Sequence, residues 1–163
     1  MSNIKRKVYL DINQALSKIE EWKKEGKKIV FTNGCFDLLH IGHVLYLEEA
    51  KRVGDILIVA ANSDHSVSSI KGPNRPIKDE YNRSHILAAL ESVDMVLIFE
   101  EDNPYHLIEQ IVPHVIVKGG DWKPEQIVGS DIVLSNGGEV LSLQFVDGYS
   151  TTALEKKIRG FRD

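Results

Sequence analysis

The sequence predicts an α/β protein of the Rossmann-like, doubly wound kind, with a mainly parallel five-stranded sheet and helices on both faces. Two observations lead to this prediction. Short apolar runs alternate along the chain with longer amphipathic segments, and strands that alternate with helices form parallel sheets with right-handed crossovers. One run, residues 55–61 (DILIVAA), is apolar almost throughout, which is typical of a strand covered on both faces.

The elements follow in order from periodicity and stop signals. Residues 11–24 place Ile12, Ala15, Leu16, Ile19 and Trp22 on one helical face, and Gly26 ends that helix. Further helices are predicted at 41–52, 79–92, 104–111 and 151–159, the third of these with a proline in its first turn. Strands are predicted at 29–32, 55–61, 95–99, 115–117 and 139–145.

Two segments lack periodicity. Residues 66–78 hold two prolines, a glycine and three cations, which predicts a mobile loop over a substrate site. Residues 119–130 are also irregular and include Asp121 and Trp122. The whole chain, 1–163, is predicted to be a single domain, with 1–26 as an N-terminal helical extension.

Composition limits the class of protein. The chain has 163 residues, 42% of them apolar and 27% charged, with a formal net charge of −4, so nonspecific nucleic-acid binding is not expected. A single cysteine excludes an intrachain disulfide and fits a reducing compartment. No apolar run approaches the roughly 18–20 residues that span a bilayer, and no apolar signal region follows the basic start. A cytoplasmic protein without membrane or nucleic-acid partners is therefore expected.

The chemistry is concentrated after the first predicted strand, in residues 32–43 (TNGCFDLLHIGH). Gly34 permits a tight turn and close approach of a ligand to the backbone. His40 and His43 lie three residues apart at a predicted helix start, so both imidazoles share a face beside the unpaired N–H groups of the helix. Gly42 removes a side chain that would crowd an incoming phosphate. Surface or capping histidines would show the same spacing, and no nearby Cys or His completes a zinc site.

An anion site of this kind suits phosphoryl or nucleotidyl transfer, which is catalysed by positioning and by stabilising charge on phosphate oxygens. The sequence contains neither GxxxxGK[ST] nor GxGxxG, which excludes the P-loop and the dinucleotide-binding motif. A phosphate nucleophile is ionised near neutral pH, so no general base is required.

Residues 40–43 (HIGH) match the HxGH signature of the cytidylyltransferase-like nucleotidyltransferase superfamily. From about residue 27 to 157 the chain most closely resembles the stand-alone heptose 1-phosphate adenylyltransferases. The shared motifs are NGCFDLLHIGH (33–43), NSD (62–64), KGPNRP (71–76), KGGDW (118–122) and STT (150–152). The resemblance implies that ATP and D-glycero-D-manno-heptose 1-phosphate give ADP-heptose and pyrophosphate, for lipopolysaccharide core precursors. It also implies a homodimer.

The resemblance assigns roles by position. Catalysis would fall to His40, His43 and Lys71. The nucleotide would contact Asn33, Gly34, Cys35, Phe36, Gly42, Gly119, Ser150, Thr151 and Thr152. The sugar phosphate would contact Asp37, Asp64, Lys71, Arg75, Arg83, Lys118 and Asp121. Mg²⁺ would be carried by the phosphates of ATP, without protein side chains as ligands.

Two departures from the family pattern affect these expectations. The superfamily often carries Arg or Lys three residues after the last threonine of the STT motif, where this chain has Glu155 followed by Lys156. Cytidylyltransferases often carry RTEGISTT, where this chain has VDGYSTT, and the missing arginine disfavours a glycerol-3-phosphate cytidylyltransferase. That enzyme, another small phosphometabolite nucleotidyltransferase and a nucleotide-sensing module remain alternatives. An enzyme of nucleic acids that shares HIGH is disfavoured by the short, acidic chain.

Overall fold

The computed structural model describes residues 4–144, 148–149 and 151–160. Within them lies one six-stranded sheet in which every neighbouring pair of strands is parallel. The strands are β1 (Val8–Tyr9), β2 (Ile29–Gly34), β3 (Ile56–Asn62), β4 (Met95–Phe99), β5 (Val115–Gly119) and β6 (Glu139–Leu143). Their order across the sheet is β1-β4-β3-β2-β5-β6.

The helices are α1 (Ile12–Lys24), α2 (Ile41–Arg52), α3 (Asp64–Lys71), α4 (Glu80–Ala88), α5 (Tyr105–Ile111), α6 (Ser130–Ser135) and α7 (Thr151–Arg159). Two short 3₁₀ turns occur at Ile4–Arg6 and Pro124–Gln126. Side-chain caps fix several helix starts: Asp11, Ser63 and Asp79 accept hydrogen bonds from backbone N–H groups of α1, α3 and α4. None of the described helices has the length and apolar character needed to cross a membrane.

Two apolar clusters cover the two faces of the sheet. Alternate residues of β3 enter each cluster: Ile58 packs on the face of α1, α5 and α6, and Val59 packs on the face of α2 and α4. The predicted fold class, a Rossmann-like parallel sheet with helices on both faces, is confirmed.

Several predictions were wrong in detail. The sheet has six strands, because the two-residue β1 pairs with β4 at the edge and is too short to show alternation. The 1–26 segment therefore supplies a strand as well as a helix. Residues 66–71 belong to α3, so only the part that follows, 72–79, is irregular. Helix α6 was not predicted, α4 ends at Ala88, and Phe145 at the end of the last predicted strand lies outside the described residues.

The strand order creates a topological switch point. From β2 the chain proceeds outward through β3 to β4, and β5 then returns to the other side of β2. In open α/β sheets the crevice beyond the carboxyl ends of two such strands is where ligands bind. The fold therefore directs attention to Asn33 and Gly34 at the end of β2 and to Lys118 and Gly119 at the end of β5.

Candidate functional site

A cavity of about 180 Å³ lies at this switch point and is named here the first cavity. It collects residues from β2, the turn that follows it, and the starts or ends of α2, α3, β5 and α7. Its lining comprises Asn33, Gly34, Cys35, Phe36, Asp37, His43, Tyr46, Lys71, Lys118, Gly119 and Thr151. Most residues that the resemblance assigned to catalysis and to the nucleotide are thus brought together.

The start of α2 fixes the two histidines. His40 is the N-cap, with extended backbone (φ −140°, ψ 171°), and its backbone N–H donates to Nδ1 of His43 at 3.4 Å. The two ring centroids lie 4.0 Å apart at an interplanar angle of 41°. Since Nδ1 of His43 accepts a hydrogen bond, the proton of the neutral ring resides on Nε2.

Both histidines are neutral at physiological pH. Burial, and after it the charges of His40 and Lys71, lowers the pKa of His43 to about 4. Burial also lowers the pKa of His40. His43 is therefore an uncharged ring with one N–H group, and positive charge at the first cavity comes from lysines and helix N-termini.

His40 carries a further mark of a functional site. Its Nδ1 atom is buried and has no hydrogen-bond partner within the part of the chain that the structure describes. Such an unsatisfied polar atom costs about 1–3 kcal/mol, and in native structures it commonly belongs to a ligand site or a site of stored strain. Gly42 makes room for this ring, because a Cβ there would lie 3.0 Å from two of its atoms. The expectation that Gly42 also makes room for a phosphate stays a prediction.

The turn after β2 is strained at Phe36, which has a positive φ of 48°. A non-glycine residue in the left-handed region costs about 1–3 kcal/mol and is concentrated at functional sites. The sequence predicted that Gly34 permits the turn. In the structure Gly34 leaves space for the Phe36 ring, which lies 3.1 Å from the position that a Cβ on Gly34 would occupy. Phe36 in turn contacts His43 edge-on, with centroids 5.7 Å apart.

Two lysines reach the first cavity, one from the end of a helix and one from the end of a strand. Lys71 is exposed at the end of α3 and lies close enough for its charge to lower the pKa of His43. Lys118 at the end of β5 donates to the backbone oxygen and the Oδ1 of Asn33 at 3.2 and 3.1 Å. Burial lowers the pKa of Lys118. The two side chains bring two amino groups to the first cavity.

Helix α7 contributes its N-terminus to the first cavity through Thr151, whereas Thr152 is exposed and Ser150 lies outside the described residues. Asp121 is exposed and does not line the cavity. Tyr46 was missed by sequence reasoning. Its hydroxyl donates to the Val117 carbonyl at 3.0 Å, and its position three residues after His43 on α2 was the available signal.

Asp37 lines the first cavity, but its carboxylate is committed to hydrogen bonds within the protein. Its carboxylate is 3% exposed and accepts hydrogen bonds from the backbone N–H groups of Ile77 and Lys78 and from the Arg75 guanidinium. Burial alone raises the pKa of Asp37, but these hydrogen bonds and the Arg75 charge outweigh it, so the pKa lies below its usual value. The sugar-contact role expected for Asp37 is therefore replaced by anchoring of the 72–79 loop.

Arg75 is likewise engaged within the protein. It forms ion pairs with Asp37 and with Glu155 of α7, so it joins the 72–79 loop to the last helix. The expected phosphate contact of Arg75 stays a prediction. Glu155, which departs from the family pattern, has a cationic partner from elsewhere in the chain, while Lys156 is exposed.

Arg83 and Asp64 satisfy each other. Arg83 is fully buried, and its three nitrogens donate to the Lys78 carbonyl at 3.0 Å, the Cys35 carbonyl at 2.7 Å and the Asp64 carboxylate at 2.7 Å. The expected contact of Arg83 with the sugar phosphate is corrected by its complete burial. The Asp64 side chain is 39% exposed, and its expected role stays a prediction. Arg83 instead ties α4 to the turn that carries Phe36 and to the start of α3.

Among the described residues, no group of three or more His, Cys, Asp or Glu side chains is arranged to hold a metal ion. The carboxylate at the first cavity, Asp37, turns both oxygens to the 72–79 loop.

The sequence model of the cytidylyltransferase-like family matches residues 31–154. Among curated proteins, the chain is similar to the bifunctional protein HldE of Geobacter metallireducens, with 59% identity over 140 residues, covering 86% of this chain and 29% of that protein. It is similar to the bifunctional protein HldE of Haemophilus ducreyi, with 58% identity over 143 residues, covering 88% of this chain and 30% of that protein. The chain thus spans less than a third of the length of these relatives.

Two solved structures resemble the fold. The lipopolysaccharide core biosynthesis protein from Thermoplasma volcanium has a TM-score of 0.59 and 27% identity, covering 77% of this chain and 100% of that one. The pantoate-beta-alanine ligase from Francisella tularensis has a TM-score of 0.60 and 17% identity, covering 93% of this chain and 76% of that one. The second likeness concerns the fold alone.

Proposed function

The chain belongs to the cytidylyltransferase-like family and is a nucleotidyltransferase, and from this premise we propose that it transfers adenylate from ATP to D-glycero-D-manno-heptose 1-phosphate. The products would be ADP-heptose and pyrophosphate, for lipopolysaccharide core precursors. Support comes from the heptose-adenylyltransferase motifs, from the identity to the HldE proteins, and from the likeness to a lipopolysaccharide core biosynthesis protein.

The observation that carries the proposal is the pairing of His40 and His43 at the start of α2, where His43 lines a cavity together with Lys71 and Lys118. A neutral imidazole donor, two cations and the N-termini of α2 and α7 all face one small space. Donors fixed in advance at the site of developing charge are the main catalytic device for transfer at phosphorus.

In the proposed reaction a phosphate oxygen of the sugar forms a bond to the α-phosphorus of ATP, and the bond from that phosphorus to the pyrophosphate oxygen breaks. The nucleophile is ionised near neutral pH, which agrees with a site whose histidines are hydrogen-bond donors. His43 would donate from Nε2 to the triphosphate, and Lys71 would neutralise charge shared by the two substrates. Mg²⁺ would be held by the phosphate oxygens of ATP, because Asp37 is committed to the 72–79 loop.

The test is pyrophosphate release with four nucleoside triphosphates crossed with both anomers of the heptose 1-phosphate and with glycerol 3-phosphate. ATP with a heptose 1-phosphate should give the highest kcat/KM. A preference for CTP with glycerol 3-phosphate would identify the cytidylyltransferase alternative instead. No release with any pair, while nucleotide still binds, would identify a nucleotide-sensing module.

The expected homodimer and cytoplasmic location follow from the resemblance and from composition. Light scattering of the purified chain tests the first, and a monomer that retains full turnover would contradict it.

A further inference from the structure

Three charged side chains, Asp37, Arg75 and Glu155, form a cluster that is named here the clasp. Arg75 makes ion pairs with both carboxylates, and the side chains of Arg75 and Glu155 are only 16% and 20% exposed. Ion pairs open to water contribute little to stability because solvent screens them. When a pair is withdrawn from water, removal of one partner leaves an uncompensated charge. The clasp is therefore a firm connection between segments that are distant in the chain.

The clasp joins two segments that line the first cavity. Arg75 follows Lys71 by four residues, and its backbone N–H donates to the carbonyl of Gly72 at 3.1 Å, so the chain between them forms a single turn. Glu155 follows Thr151 by four residues, and the two share one face of α7. Both Lys71 and Thr151 line the first cavity. Each of the two paired side chains thus lies one turn from a residue of the cavity.

The two halves of the loop after α3 are held in different ways. In the second half, the backbone N–H groups of Ile77 and Lys78 donate to Asp37 at 2.9 Å, and these bonds do not involve Glu155. The first half begins at Gly72, which has a positive φ of 99°, and no atom of the described residues lies within 4 Å of the position that its Cβ would occupy. A glycine in such an open position permits the backbone to move. The ion pair with Glu155 therefore restrains the half of the loop nearest α3.

Lys71 depends on this restraint for its placement. It is exposed at the end of α3, so packing of its own side chain does not fix it. Building on the proposed function, we propose that Glu155 is a positioning residue: through Arg75 it holds the backbone beside Lys71 so that the amino group of this lysine faces the first cavity. Glu155 itself does not line the cavity, and it acts without contact with a substrate.

A restraint at this distance affects turnover because transfer at phosphorus depends on the position of charges. A displacement of about 1 Å at a reacting centre can cost up to roughly 10²-fold in rate, even when its cause lies away from the chemistry. Loss of the pair between Arg75 and Glu155 releases the first half of the loop and lets Lys71 leave the cavity. The second half stays bound to Asp37.

The experiment measures kcat and KM in Glu155→Gln, Glu155→Lys and a control, with the pair of substrates that releases pyrophosphate fastest. Glu155→Gln should lower kcat by roughly tenfold and change the KM for ATP by less than about twofold. Glu155→Lys should lower kcat further, because it places a second cation against Arg75. Glu139→Gln, which breaks the ion pair with Lys28 at the amino end of β6, is the matched control and should keep the wild-type kcat.

A double-mutant cycle separates positioning from a general effect on the fold. Because Glu155 acts through Lys71, Glu155→Gln should change kcat by less than about twofold in a Lys71→Met background. A loss of equal size in both backgrounds would show that the two residues act independently and would overturn the proposal. A wild-type kcat in Glu155→Gln would also overturn it.

Amide hydrogen exchange tests the clasp without turnover. Glu155→Gln should speed exchange in residues 72–75 and leave Ile77 and Lys78, whose N–H groups donate to Asp37, near their wild-type rates. Equal exchange in residues 72–75 of the variant and the wild type would overturn the proposal.

This proposal and the proposed function fail in different ways. Turnover of a heptose 1-phosphate with a wild-type kcat in Glu155→Gln would contradict the role of Glu155 and leave the reaction standing. Reaction with a different acceptor, slowed by Glu155→Gln only when Lys71 is present, would contradict the proposed substrate and leave the role of Glu155 standing.

Discussion

His43→Ala should lower kcat by about 10²–10³ while the protein stays folded, because losing one fixed donor to a developing anion has that effect. The structure sets up this donor in two ways. The hydrogen bond from the His40 backbone to Nδ1 leaves the proton on Nε2, and a pKa of about 4 keeps the ring neutral throughout the assay range. The KM for ATP should change far less than kcat, since the donor acts mainly on the transition state.

The stability of the His43→Ala variant separates a catalytic effect from unfolding. The ring is partly buried against His40 and Phe36, so its removal should cost about 1 kcal/mol, or roughly 2–4 °C in Tm for a chain of this size. His43→Gln retains an N–H donor and should recover part of the rate. His106→Ala, on the exposed surface of α5, is the matched control. Turnover by His43→Ala within roughly threefold of wild type would refute the reasoning.

Three further predictions concern charged residues, and a fourth concerns the pH dependence that His43 sets. Lys71→Met should lower kcat strongly and leave Tm nearly unchanged, because Lys71 is exposed. A fall in Tm large enough to account for the lost activity would contradict its role. Arg83→Met should lower Tm by several degrees, since it removes the donor to the Asp64 carboxylate and to two backbone carbonyls. An unchanged Tm would contradict these three hydrogen bonds. Arg75→Gln should speed amide exchange in the 72–79 loop more than Glu155→Gln, because Arg75 pairs with both Asp37 and Glu155; equal effects would show that the Asp37 pair contributes little. The unfolded chain takes up a proton on His43 near its usual pKa of 6.5, whereas the folded chain does so only near 4, so His43 lowers stability as pH falls through that window. The wild-type Tm should therefore drop more steeply between pH 6.5 and 4 than that of His43→Gln, and parallel curves would contradict the shifted pKa.

Local sequence predicted the centre of the site well. The apolar run of β3 and the motif from Asn33 to His43 depend on neighbours within one turn or strand. The structure places His40 and His43 together, as the spacing indicated. Strand β1 was not predicted, because a strand of two residues is too short to show any pattern in the sequence. Helix α3 was hidden because the single fully buried apolar side chain in it is Val67.

Long-range pairing accounts for the remaining errors. The family resemblance assigned Asp37, Asp64, Arg75 and Arg83 to the sugar phosphate. In the structure they pair with one another, over separations of 38 residues for Arg75 with Asp37 and 19 for Arg83 with Asp64. No periodicity in the sequence reports such a pairing. The hydrogen bond between Lys118 and Asn33, 85 residues apart, was not predicted for the same reason.

The most direct measurement is a crystal structure of the chain with Mg²⁺ and a non-hydrolysable ATP analogue. The triphosphate should lie at the N-terminus of α2, with Nε2 of His43 and Nζ of Lys71 within hydrogen-bond distance of phosphate oxygens. Phosphates bound away from α2, with both imidazoles turned from the ligand, would contradict the assignment of this site to the nucleotide.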